Sequence, residues 1–151
     1  MTRLYISPWE VRTEASGWNT WPHNLVRDPD FTNTLSKTFT DWIYEHYEMT
    51  EPFVNTIQDD LKDDYYSHIP VEVYINLIIK RLDHGYYHSG SALINDILNM
   101  EANCHTYNQP DSQFCEVIPK ITHQGLIQVY DNMVARIDNG YTLPKSVRQP
   151  P

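Results

Sequence analysis

The chain has 151 residues, 40% of them apolar and 21% charged, which suits one globular domain with a real core and excludes a disordered chain. Twenty acidic residues against 11 basic ones leave a net charge of −9. That sign disfavours direct binding of nucleic acid through phosphates and favours a basic partner.

Tyrosine dominates the aromatic content, 11 residues against 4 phenylalanines. A Tyr ring keeps one end wet, so many of these rings are expected at a surface, a groove or an interface. Cys104 and Cys115 are too few for a disulfide framework and read as free thiols of a reducing compartment. The opening segment MTRLYISPWE has no apolar stretch of signal-peptide length, and no run approaches a membrane span.

Residues 1–27 have no helical period and contain Trp9, Trp18 and Trp21. They read as an extended arm, with a short strand possible at Leu4-Tyr5-Ile6. The arm is packed down by its tryptophans or shared with an upstream domain. Asp28 is a good N-cap and Pro29 suits the first helical position, where a missing N–H costs nothing. Phe31, Leu35, Phe39, Trp42, Ile43 and Tyr47 follow at three- and four-residue steps, which predicts an amphipathic helix over 29–49 ended by Glu51-Pro52.

From 52 to 72 the period disappears. Phe53, Val54, Ile57, Leu61, Tyr65 and Ile69 argue for an ordered, largely non-helical loop. A short helix is expected over 74–84, burying Ile75, Ile78, Ile79 and Leu82, with Gly85 placed to end it. Ser91 can cap a third helix, 90–107, carrying Leu93, Ile94, Ile97, Met100 and Cys104 inward. The break Asn108-Gln109-Pro110-Asp111 precedes a fourth helix, 112–138, capped by Asp111 or Ser112. Pro119 and Gly125 inside it predict a bend, and Asn139-Gly140 ends it before a loose tail, 139–151. The pattern is all-α, a bundle of four helices with one outsized connection.

Several motifs stand in a recognisable order. Asp64-Tyr65-Tyr66 precedes an apolar short helix ending in Lys80-Arg81-Leu82. Then follow Tyr86-Tyr87, Asp96-Ile97 and Asn103-Cys104-His105-Thr106-Tyr107-Asn108-Gln109-Pro110-Asp111-Ser112. This resembles the bromodomain pattern over residues 28–138. Ser7-Pro8-Trp9-Glu10 is similar to an element upstream of the first bromodomain in the bromodomain and WD-repeat-containing group, which includes the pleckstrin-homology-domain-interacting protein. There the element follows a Tudor-like segment.

The resemblance implies a left-handed four-helix bundle with a long ordered loop between its first and second helices. It implies a non-enzymatic reader of acetyl-lysine on histone H3 and H4 tails in nuclear chromatin, without cofactor, metal or membrane. Adjacent Tudor-like and WD-repeat domains are possible partners. Asn108 then matches the asparagine whose amide donates to the acetyl carbonyl, a neutral donor suited to an amide oxygen. Tyr65 matches the tyrosine acting through a water. Phe53 matches the pocket floor, Ile57 the loop wall and Tyr107 the aromatic beside the asparagine. Phe114 stands at the position that guards the mouth.

The usual W-P-F reads Glu51-Pro52-Phe53, and the usual P-M-D-L reads Glu72-Val73-Tyr74-Ile75. The lost aspartate predicts a softer start to the short helix and weaker loop anchoring. These departures support one rival, a degenerate module with little acetyl-lysine affinity that serves a neighbouring domain. The other rival, a small helical enzyme, lacks a spaced acid–base pair or nucleophile motif. His84 and His88 flank a turn and lack the spacing of a metal site. The acidic run Asp59 to Asp64 reads equally as a solvated loop and as an attractor of basic tails.

Overall fold

In the computed structural model, which describes residues 24–145, Asp28 and Pro29 open the first helix as their chemistry requires. Helix α1 spans Pro29–Glu45, and the Asp28 carboxylate accepts from the Asp30 amide at 2.9 Å. Phe31, Leu35, Phe39 and Ile43 are buried along one face. The helix stops earlier than the sequence predicts. The His46 amide is shared between the carbonyls of Trp42 and Ile43, and the His46 ring pairs with the Trp42 carbonyl at 2.8 Å. A separate turn, α2, spans Tyr47–Thr50, and Tyr47 lies outside the core, stacked on Tyr44.

The connection from 52 to 72 is ordered, but it is not largely non-helical. It holds 3-10 turns at Glu51–Phe53 and Asp59–Leu61 and an α-helix, α3, at Lys62–His68. No side chain caps α3, and none of its residues is buried. Its hold on the bundle is tertiary. Tyr65 packs edge-on against Tyr107 at 4.8 Å between centroids, and Tyr107 Oη donates to Asp64 Oδ2 at 2.7 Å.

Helix α4 spans Ile75–Asp83 and buries Ile75, Ile78 and Leu82. Its start, at Tyr74, has no side-chain cap, as the lost aspartate predicts. Its end is closed by Gly85 at φ 69°, with Gly85 N–H donating to Leu82 O and Tyr86 N–H to Arg81 O, a Schellman motif. Gly140, at φ 97°, ends the last helix in the same way.

Helix α5 spans Gly90–Tyr107, and its cap is Ser89 rather than Ser91, with Ser89 Oγ accepting from Ala92 N–H at 3.3 Å. Ser112 caps α6, Gln113–Ile121. The bend expected near Pro119 and Gly125 is a π-helical turn, Thr122–Ile127, before α7, Gln128–Asp138. The turn fits a close approach, since a β-carbon at Gly125 would overlap the Trp42 ring. Helix α1 packs on α4 and α7, and α5 packs on α6 and the π turn. No strand occurs among the described residues.

The packed body reaches past both ends of the 28–138 span. Asn24–Arg27 forms a 3-10 turn with Val26 buried, and Leu143 packs on the core. The three N-terminal tryptophans and the candidate strand at Leu4-Tyr5-Ile6 lie outside the described residues. Cys104 and Cys115 are buried free thiols.

Candidate functional site

Helix α5 ends at Asn108, whose backbone turns extended (φ −97°, ψ 154°) just before the Pro110 break. Asn108 N–H and Asn108 Nδ2 both donate to the Cys104 carbonyl, each at 3.0 Å, closing an orphan acceptor at the helix end. Nδ2 also lies 3.6 Å from Cys104 Sγ, a weak acceptor. The amide plane is thereby fixed, and a stronger acceptor could displace the sulfur contact.

The amide stands in the wall of a cavity of about 580 Å³ between the long connection and the α5–α6 break. That volume falls in the range of about 300–1,000 Å³ typical of small-ligand pockets. Phe53, Ile57, Tyr65, Tyr107, Asn108 and Phe114, distant in sequence, all line it. Phe53 and Phe114 meet edge to face at 6.0 Å between centroids, joining the loop to the start of α6. Tyr65 is half-buried, and burial followed by the nearby Glu72 charge pushes its hydroxyl up to about 12. It therefore stays protonated at neutral pH and can donate. Tyr107 presents its ring to the cavity while its hydroxyl is committed to Asp64.

Sequence reasoning missed part of the lining. Met100 and Cys104 also face the cavity. The signal was available, because 100, 104 and 108 recur at four-residue steps on one face of α5. Burial raises the Cys104 thiol to about 12, so it serves as wall rather than nucleophile. Val73 and Tyr74 contribute from the start of α4.

The expectation of weaker loop anchoring, drawn from the aspartate lost at Tyr74, is corrected by the contacts of Glu72. Glu72 accepts from Thr56 Oγ1 at 2.8 Å, from Ile57 N–H at 2.7 Å and from Tyr66 Oη at 2.8 Å. A charged acceptor with three donors ties the Ile57 wall to α3 and to the entry of α4. Asn76 adds to this clamp, its amide donating to Asn55 Oδ1 at 2.8 Å and its backbone N–H to Val54 O at 3.0 Å. The proline and aspartate of the usual pattern are replaced by a different anchor.

The arrangement is an apolar-walled cleft that holds the fixed Asn108 amide and the protonated Tyr65 phenol, suited to a neutral polar group on an apolar stem. Among the described residues, no cluster of three or more His, Cys, Asp or Glu is placed to hold a metal.

Comparison with known proteins agrees with this geometry. The family model described as Bromodomain matches residues 36–120. Among solved structures, the bromodomain from human BAZ1A is similar at 19% identity and a TM-score of 0.52, the alignment covering 73% of this chain and 98% of that one. At that identity the likeness speaks for the fold alone, an all-α bundle. The family match spans more than half of the sequence and includes α3, the α4 clamp and the Asn108 break, and on that ground the chain belongs to the bromodomain family.

Proposed function

We propose that this chain reads acetyl-lysine on histone H3 and H4 tails in the nucleus. Bromodomains are reader modules, generally without enzymatic activity, that bind acetylated lysine peptides. The observation that carries the finer reading is the Asn108 amide, held by the Cys104 carbonyl in the wall of an apolar cleft. In that reading the acetyl carbonyl replaces the weak Cys104 sulfur contact, and the apolar stem runs between Phe53 and Ile57 toward Phe114. Tyr65 donates from the opposite side through a water. The net charge of −9 favours a basic tail. We place the module beside Tudor-like and WD-repeat regions on the strength of Ser7-Pro8-Trp9-Glu10.

Calorimetric titration with acetylated and unmodified H3 and H4 peptides tests the reading. Binding only to acetylated peptides supports it. Failure to bind any acetylated tail assigns the chain instead to a structural module serving its neighbours, the role that Glu51 and Tyr74 favour by departing from the usual pattern.

A further inference from the structure

Charge at the cavity is one-sided. Among the described residues, no Lys, Arg or His lines it, and its two charged lining residues are Glu51 and Glu72. Glu72 is saturated by its donors from the loop. Asp64 is engaged by Tyr107, and Asp59 by Lys62 at 2.9 Å. Glu51 differs. It is exposed, and among the described residues its carboxylate has no hydrogen-bond or ion-pair partner.

The backbone at Glu51 is nevertheless held in place. It opens the 3-10 turn Glu51–Phe53, its carbonyl accepts from Val54 N–H at 3.2 Å, and Pro52 restricts the chain beside it. Glu51 lines the cavity yet is exposed to solvent, which puts it on the rim of the cleft. A cleft of about 580 Å³ also has room for more than one ligand side chain.

Resting on the acetyl-lysine reading, we infer that Glu51 is a specificity residue that selects an acetyl-lysine with a cationic lysine or arginine close by in the same peptide. The neutral acetyl-lysine fills the cleft to Asn108. The neighbouring cation pairs with the Glu51 carboxylate at the mouth, in an interaction open to solvent and sensitive to salt. A pair of this exposed kind is worth up to about fivefold in affinity at low salt.

The test uses one acetyl-lysine peptide series in which a single arginine is moved through the two positions on either side, against an all-alanine parent. Titration is at 50 mM and 500 mM salt, with wild type, Glu51→Gln and the control Glu48→Gln, which removes the same charge outside the cavity. Wild type and Glu48→Gln should favour at least one arginine peptide about three- to fivefold at low salt. Glu51→Gln should lose that preference, and so should wild type at high salt. Binding of the parent with no arginine preference, or a preference that survives Glu51→Gln, overturns the inference and leaves the reader function standing. If no acetylated peptide binds, the reader function fails and this inference falls with it.

Discussion

Replacing Asn108 by alanine separates the structural and recognition roles of one side chain. In the free protein the Asn108 amide donates to the Cys104 carbonyl at 3.0 Å, a bond that alanine removes. The same carbonyl keeps the Asn108 backbone N–H at 3.0 Å, so it is not orphaned. The stability cost is therefore that of one hydrogen bond at a partly exposed helix end, about 0.5–1.5 kcal/mol. A domain of this size loses about 2–8 °C in Tm for such a change. The recognition cost is larger. A ligand carbonyl drawn into the cleft without its donor forfeits about 1–3 kcal/mol, roughly five- to 150-fold in Kd. Calorimetric titration with an acetylated histone peptide, alongside thermal unfolding of the same samples, measures both. Tyr65→Phe provides the comparison. Its hydroxyl acts through a water and its ring still packs on Tyr107, so the affinity loss should be the smaller of the two. An Asn108→Ala protein that unfolds at a slightly lower temperature and binds as tightly as wild type would refute the pocket assignment while leaving the fold intact.

Glu72→Gln keeps the size of the side chain and removes the charge that gathers Thr56, Ile57 and Tyr66. Amide hydrogen exchange at Ile57 should accelerate at least tenfold while exchange in the centre of α5 is unchanged; unaltered Ile57 exchange would show that the loop is held by other contacts. Gly125→Ala forces a methyl into the Trp42 ring and should cost about 1–3 kcal/mol in denaturant unfolding, with the loss reduced in the Trp42→Phe background. Burial would raise the Glu101 carboxyl, but His123, Thr122 and His105 outweigh it and hold the group below its ordinary value of 4.5. A carboxyl lowered in the folded state stabilises above the unfolded-chain value and loses that contribution as pH falls through the folded one. The Tm gap between wild type and Glu101→Gln should accordingly be widest near neutral pH and close as pH drops below 4.5; a gap independent of pH would exclude the ionised carboxylate as its source.

The sequence by itself determined the elements whose signals are short-range. Asp28-Pro29, Ser112, Gly85 and Gly140 mark helix ends because a capping oxygen or a left-handed backbone is a property of one or two residues. The stripe Phe31, Leu35, Phe39 and Ile43 is legible because α-helical spacing alone puts those residues on one face. Asn108 was legible only through the resemblance of its motif, because a helix stop before Pro110 is by itself an ordinary helix end. The tertiary structure decided the rest. The segment Lys62–His68 carries neither a side-chain cap nor a buried stripe, and it is held against the bundle through Tyr107, 43 residues beyond Asp64. Tyr74 read as the loss of an anchoring aspartate because the sequence shows which residue is missing and not that the loop's donors converge on Glu72 instead. Gly125, in the π turn at Thr122–Ile127, likewise meets the Trp42 ring, which lies on a helix far away in the chain. Each of these features is a pairing across a long loop, and such pairings depend on how the packed helices bring the partners together, which local spacing does not encode.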